Sequence, residues 1–343
     1  MPWYPLLGRE GAGVECDIMM RICFLLLMFS WVGSYAQTDS IQYFDGSDRV
    51  THIDKAVYYR KITRQDTGKI YLGVEYWMDG RIKMIGHALD VNFLYKIGKY
   101  TYYYKNGNRS GEGQYYSDLD QHVFGFKNKK WETWYPNGKP KEEWVYKIAD
   151  DFTYAESFLM SFWDTTGAEL TAKGNGRYYF TDMVNTRQSF KKIVFTGPVR
   201  QGMFDSVWHG YYANGKVYTD ELYKDGKLVK GTSYDEDGKT YNYDSLETPP
   251  AFKGGQAELN RFVKLNVQTP PGMNSDILKS VTVRVFVGEN GFVGNATVIQ
   301  GVNPAMDAEA VRVAKALPRF IPGTYRGQPV DAYFTFPVSF SLL

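Results

Sequence analysis

The sequence has 343 residues, of which 17% are aromatic, and it contains 28 tyrosines and 34 glycines. Aromatic residues favour strands and glycine disfavours helix interiors, so this composition excludes a mainly helical protein. The formal net charge of +2 is too small for the basic footprint of a nucleic-acid-binding protein, and we expect no nucleic-acid partner.

The first 36 residues have the pattern of an N-terminal extension followed by an export signal. Arg21 precedes an apolar run of about a dozen residues, which is shorter than a transmembrane helix requires. Small residues stand at the two positions that a signal peptidase reads, so we predict cleavage after Ala36; an uncleaved membrane anchor is the alternative. Cleavage would remove both cysteines, Cys16 and Cys23, and would leave no thiol for a disulfide or a metal site.

Residues 37–246 contain a recurring turn between aromatic runs. Six of the seven turns are Asn-Gly or Asp-Gly pairs, and the turn glycines are Gly80, Gly107, Gly138, Gly167, Gly215, Gly226 and Gly238. Asn-Gly and Asp-Gly supply the positive φ of a two-residue hairpin turn, so this spacing predicts a repeat whose unit is a β-hairpin. The tracts GYYANGKVY at 210–218 and ELYKDGKLVKG at 221–231 resemble MORN-type repeats, which implies stacked hairpins in an elongated sheet. An ordinary antiparallel meander or sandwich is the alternative.

A second domain is predicted over residues 248–343. Residues 241–250 have few apolar anchors and two prolines, which indicates a short, semi-stiff linker with a boundary near Glu247. The sequence TPPAFKGG at 248–255 then leads into a helical pattern, and Pro270 and Pro271 end it.

The elements of this second domain follow from hydrophobic periodicity. The first helix is predicted from Leu259, Phe262 and Val263, and the first strand from Val281, Val283, Val285 and Val287 at period two. A turn at 289–291 precedes a second strand that ends near Gln300. Asn303 is predicted to cap a second helix that begins at Pro304 and buries Met306, Ala310, Val313, Ala314 and Leu317. The last strand alternates, with Ala332, Phe334, Phe336, Val338, Phe340 and Leu342 on one face.

Several motifs of this domain resemble the C-terminal domain of TonB, the energy transducer of Gram-negative envelopes. They are FKGG at 252–255, PAMDAEAVRV at 304–313, LPRFIPG at 317–323, GQPV at 327–330 and FPVSF at 336–340. The resemblance implies a small α+β fold whose C-terminal strand is an edge that can pair with an extended peptide of a TonB-dependent outer-membrane receptor. It implies a peptide-binding edge strand formed by Ala332, Tyr333, Phe334, Thr335, Phe336, Val338 and Phe340. Pro337 cannot donate a hydrogen bond and limits such pairing; the alternative is that the strand only closes the local sheet.

No constellation of catalytic or metal-ligating residues stands out. The four histidines, His52, His87, His122 and His209, show no ligand spacing. Asp205, Ser206 and His209 lie too close in sequence to be assigned the roles of a catalytic triad. The acidic pairs at 142–143 and 150–151 lie near lysines, which indicates a solvated face of mixed charge. We therefore expect no catalytic residue, metal or cofactor.

Together these patterns predict a mostly β array of MORN-like antiparallel hairpins followed by a small α+β domain similar to the TonB C-terminal domain. The predicted function is that of an exported periplasmic or envelope protein that recognises a protein partner by β-strand addition, in association with TonB-dependent transport. It would be membrane-associated only indirectly. A membrane-anchored TonB-type energy transducer is the first alternative, although no proline-rich spacer is present. An enzyme acting on an envelope polymer is the second.

Overall fold

The protein is described by a computed structural model that covers residues 40–65, 69–118, 120, 122–185, 190–270 and 279–340. The predicted signal peptide and its cleavage site lie outside these residues. The chain divides into two compact units at Gly176/Arg177, and each unit is described by itself. Antiparallel strands dominate both, and a small α+β domain ends the chain, which confirms the predicted fold class.

The first unit is an antiparallel meander in which each strand pairs with the next one along the chain. Its strands are β1 (Ser40–Phe44), β2 (Tyr58–Gln65), β3 (Ile70–Trp77), β4 (Ile82–Ala88), β5 (Lys96–Tyr103), β6 (Arg109–Asp118), β7 (Val123–Trp134), β8 (Pro140–Ile148), β9 (Ala155–Trp163), β10 (Glu169–Ala172) and the start of β11 (Asn175–Asn185). Consecutive pairing of this kind fits both the predicted hairpin repeat and the ordinary meander that is its alternative.

Most of the predicted turns are longer than two residues. The N–H of Tyr104 donates to the carbonyl of Asn108 at 2.8 Å, and only Gly107 of the turn has a positive φ, of 88°. Asn106 contributes its side chain, whose Oδ1 accepts the N–H of Asn108 at 3.0 Å. This is a type I turn followed by a left-handed glycine, so a two-residue turn was the wrong prediction here. Asp225–Gly226, with φ values of 49° and 75°, is a two-residue turn as predicted.

The side chain before the glycine has the same role in several of these turns. Its oxygen accepts the N–H of the second residue beyond it in the turns that contain Asp79, Asn137 and Asn214. In these turns the Asn or Asp side chain acts as a hydrogen-bond acceptor of the right length, and its own backbone has no positive φ.

A second repeated arrangement joins an aromatic ring to a glycine in the middle of the preceding strand. Trp131 of β7 covers Gly113 of β6, where a Cβ would lie 2.1 Å from the indole ring. The indole N–H donates to the carbonyl of Gln114, the residue after the glycine, at 3.0 Å. The same ring, glycine and carbonyl recur as Tyr100, Gly86 and His87, and in the second unit as Trp208, Gly197 and Pro198. These glycines let large rings lie flat on the sheet and bury its aromatic face.

The second unit begins with the last hairpins of the array. They pair in the order β12 (Phe190–Arg200), β14 (Ser206–Tyr212), β15 (Val217–Lys224), β16 (Lys227–Tyr234) and β17 (Thr240–Tyr243), with the short β13 (Met203–Phe204) on the end of β12. The predicted semi-stiff linker at 241–250 contains strand residues: β17 pairs with β16, and β18 (Glu247–Thr248) pairs with β21 (Gly323–Tyr325). The domain limits 37–246 and 248–343 remain predictions.

The C-terminal domain places two helices against one face of a three-stranded sheet. Its elements are α1 (Gly255–Asn266), β19 (Lys279–Val287), β20 (Val293–Gln300), α2 (Pro304–Lys315), β21, β22 (Gln328–Val330) and β23 (Ala332–Phe340), and the sheet order is β20–β19–β23. The predicted cap of α2 is confirmed, since Asn303 Oδ1 accepts the N–H of Met306 at 2.9 Å. The predicted apolar faces form the core: Leu259, Val263, the four valines of β19, Met306, Ala310, Val313, Ala314, Leu317, Phe336, Val338 and Phe340 are all buried.

The glycine under Trp131 provides a test of the packing. Gly113→Ala should lower the free energy of unfolding by about 1–3 kcal/mol or more, because the new methyl group and the indole cannot both be accommodated. Gly111→Ala, also buried and two residues earlier in β6, is the matched control, since its Cβ would meet its nearest atom at 3.7 Å. Urea denaturation followed by tryptophan fluorescence measures both. Equal stability of the two variants would contradict the packing argument.

Candidate interaction site

The last strand lies at an edge of the C-terminal sheet. β23 pairs antiparallel with β19 over nine residues without a register shift, from Lys279 opposite Phe340 to Val287 opposite Ala332. Among the residues that the structure describes, no strand pairs with the other side of β23. An edge of this kind has unpaired N–H and C=O groups that can accept an added strand.

Pro337 reveals which backbone groups of β23 point to this free edge. It lies opposite Thr282 in the unbroken register, and a proline without an N–H cannot sit in a pair that exchanges hydrogen bonds. The backbone of Pro337 therefore points away from β19. The N–H and C=O groups of successive residues point to opposite sides of a strand. Tyr333, Thr335 and Ser339 therefore also present these groups to the edge.

The seven residues predicted as the binding strand divide into two sets. Tyr333 and Thr335 are exposed on the face of the sheet opposite the helices, and Tyr333 as a whole residue is 66% exposed. Phe336, Val338 and Phe340 are buried, and Ala332 and Phe334 are half-buried on the helix side, with Phe334 packed against the core. These five hold the strand in place by packing.

Ser339 is a member of the edge that sequence analysis did not select. It is exposed, and it shares the outward direction of Tyr333 and Thr335. The signal was present in the sequence, because a proline inside a strand fixes the direction of the residues two positions away on either side.

The exposed face beside the edge carries an aromatic pair and an arginine. Phe286 of β19 contacts Tyr333 edge to face, with ring centroids 5.7 Å apart. The guanidinium of Arg284 lies 5.9 Å from the centroid of the same tyrosine ring. A strand added to β23 would therefore place alternate side chains next to Tyr333, so this ring can contribute to specificity.

The hairpin before the edge strand, Gly323–Val330, projects onto the last hairpins of the array, and we call it the tongue. Its tip is a two-residue turn at Arg326–Gly327, with φ values of 50° and 76°. Arg326 is 6% exposed, and its side chain pairs with Glu221 of β15, which is 2% exposed. Nε of Arg326 donates to Oε1 of Glu221 at 2.6 Å. A buried ion pair therefore joins two parts of the chain that are 105 residues apart.

Further polar groups complete the surroundings of this pair. Glu221 also accepts the hydroxyls of Tyr243, at 2.5 Å, and Tyr223, at 3.1 Å. Ser233 donates to the carbonyl of Arg326 at 2.7 Å. We call Glu221, Tyr223, Ser233, Tyr243, Arg326 and Gln328 the Arg326 cluster; Gln328 joins it by donating to the hydroxyl of Ser233 at 3.1 Å.

The electrostatics of the cluster favour a charged arginine and neutral tyrosines. Burial alone lowers the pKa of Arg326, but the adjacent Glu221 carboxylate and the Tyr325 hydroxyl raise it well above its usual value. Burial, and then the charge of Glu221, raises the pKa of Tyr243 above its usual range. The arginine stays charged, and the tyrosine stays a donor, across the physiological pH range.

The residues considered for a catalytic triad and for an acidic face form hydrogen bonds with nearby side chains. His209 pairs through Nδ1 with Asp220 at 2.6 Å rather than with Asp205, while the hydroxyl of Ser206 donates to Asp205 at 3.4 Å. Glu142 is buried and accepts the hydroxyl of Thr133 at 3.0 Å, so this residue is not solvated as the predicted face of mixed charge would require. No group of three or more His, Cys, Asp or Glu side chains suited to a metal occurs in the described ranges.

A comparison with known families bears on the C-terminal domain. Residues 277–342, from just before β19 to beyond β23, match the family described as the Gram-negative bacterial TonB protein C-terminal. This confirms the resemblance predicted from the motifs for that part of the chain, while the MORN resemblance of the array stays a prediction. No curated protein matches the chain. Within the described residues, no helix is both long and apolar enough to cross a membrane.

The buried ion pair of Arg326 and Glu221 should contribute to the stability of the second unit. Glu221→Leu should destabilise the second unit by about 3–5 kcal/mol, because the guanidinium of Arg326 remains buried without its carboxylate. Adding Arg326→Met should restore much of the loss, since two apolar side chains replace the pair. Glu258→Leu removes a carboxylate that pairs with Arg261 on the surface of α1, at 3.7 Å, and should cost less than about 1 kcal/mol. Urea denaturation at constant ionic strength measures all three, and equal losses for Glu221→Leu and Glu258→Leu would contradict the assignment.

Proposed function

We propose that this is an exported envelope protein that recognises a partner protein by adding an extended segment of the partner to β23, in support of TonB-dependent transport. The observation that carries the proposal is an edge strand, with its backbone groups directed outward, inside the region that matches the TonB C-terminal family. Domains of this family act in the Gram-negative envelope and contact proteins such as outer-membrane receptors. The partner would then be a receptor segment that reaches the periplasm.

The edge determines what such a segment must provide. Tyr333, Thr335 and Ser339 each offer one N–H and one C=O, and Pro337 offers a C=O alone. Each main-chain hydrogen bond contributes about 0.5–1.5 kcal/mol in net terms, so a strand of this length gives modest affinity on its own. Side chains that meet Tyr333 and Arg284 would add selectivity, as in other cases of strand addition.

A membrane-anchored energy transducer is the second candidate, and the same family match supports it. Both proteins would use the β23 edge. They differ in whether residues 1–36 are retained, so the N-terminal residue of the protein isolated from cells separates them: Gln37 supports the exported binding protein.

Site-specific cross-linking tests the proposal. A photoreactive phenylalanine analogue replaces Tyr333 in the full chain, expressed in Gram-negative cells that carry the protein naturally. We expect a cross-link to one extended segment of an outer-membrane receptor. The same analogue at Leu265, which is 73% exposed on α1, should not capture that segment. Capture of the same segment at both positions would show contact without strand addition.

The decisive variant is Thr335→Pro. It removes an outward N–H that β19 does not use, so the sheet should remain while the cross-link yield at position 333 falls about tenfold, the equivalent of about 1.4 kcal/mol. Thr335→Ala keeps the N–H and should retain the yield. Equal yields for the two variants would reject strand addition at β23.

A further inference from the structure

The tongue and the edge strand are continuous. Only Asp331 separates the end of β22 from the start of β23, and Arg326 lies six residues before Ala332. Asp331 is itself fixed, because its Oδ1 accepts the N–H of Glu289 at 2.9 Å. Displacement of the tongue would therefore act directly on the end of β23 at which Ala332 pairs with Val287.

The array residues that contact the tongue come from three successive strands. Glu221 and Tyr223 come from β15, Ser233 from β16 and Tyr243 from β17. Gly231 of β16 lies beneath Tyr243, with its ideal Cβ position 2.3 Å from the phenol ring, so the tyrosine that bonds Glu221 also covers the sheet. The backbone N–H of Arg326 donates to the carbonyl of Leu246, which follows β17, at 2.6 Å.

Arg326 also covers the aromatic face of the array. Its guanidinium lies 4.4 Å from the centroid of the Phe195 ring on β12. Terminal units of a repeat array expose an apolar face that needs a cap. The tongue provides this cap in the second unit, with a charged tip that is tolerated only because Glu221 neutralises it.

We propose that the last hairpins of the array regulate the binding strand: the Arg326 cluster couples the stability of β15–β17 to that of β23. A partner strand on the β23 edge would then stabilise the array end, and loosening of the array end would weaken strand binding. Coupling between two sites is reciprocal, so one contact cluster accounts for both effects. The identity of the ligand rests on the proposed function, whereas the coupling itself does not.

Hydrogen–deuterium exchange of the full chain tests the coupling without a partner. Arg326→Asn removes the guanidinium and keeps a residue that tolerates the left-handed backbone of the turn. We expect exchange to accelerate about tenfold or more in both 332–340 and 217–243, because cooperative units open together. Arg312→Gln removes an exposed arginine of α2 that pairs with Glu309, and it should change neither region.

Glu221→Gln is the second variant, because it keeps the side-chain shape if Arg326→Asn unfolds the unit. It should accelerate exchange in the same two regions, to a smaller extent. Acceleration confined to 323–330 in these variants would overturn the coupling. The cross-link at position 333 is measured separately, in the protein that carries the photoreactive analogue and no other substitution. Its absence would reject strand addition and leave the coupling intact, whereas its presence without coupled exchange would reject only the coupling.

Discussion

A guanidinium removed from water needs a carboxylate, and this requirement determines how the second unit is assembled. Arg326 and Glu221 are both almost fully buried, so neither would be stable there alone. Their pairing fixes the tongue on the last hairpins, and the hydroxyls of Tyr223 and Tyr243 satisfy the remaining carboxylate positions. The segment between the array and the C-terminal domain is therefore tied at both ends by strand pairing, and the two parts meet through a specific polar contact.

The same contact positions the residues that lead into the edge strand. β23 begins two residues after the tongue ends, and its helix-side face is held by Phe336, Val338 and Phe340 in the core. Packing uses one face of the strand, and β19 uses one set of its backbone groups. The N–H and C=O groups of Tyr333, Thr335 and Ser339 remain, and they point outward from a strand that is already held by core packing and by β19. A preorganised edge loses little entropy when a partner segment adds to it.

The hairpin array buries its aromatic side chains by a different type of packing. Large rings lie over mid-strand glycines and donate a hydrogen bond to the next carbonyl, as Tyr100, Trp131 and Trp208 do. Each ring thus covers the strand before its own, and one hairpin depends on the next. This dependence explains why an aromatic-rich and glycine-rich composition can form an ordered sheet. It also explains why the end of the array needs a cap, which in the second unit is the tongue.

The sequence determined the elements, because hydrophobic periods, caps and glycine turns depend on neighbouring residues. It predicted both helices, the alternation of β23 and the position of the hairpin turns. Pro337 also indicated which backbone groups of β23 point to the free edge, because a proline has no N–H to donate to β19. It could not reveal the turn geometry around Asn106, because Asn-Gly fits two turn types and strand pairing selects between them. Nor could it pair Glu221 with Arg326. Those charges are 105 residues apart and resemble ordinary surface residues until folding buries them, so only the tertiary structure decided that contact.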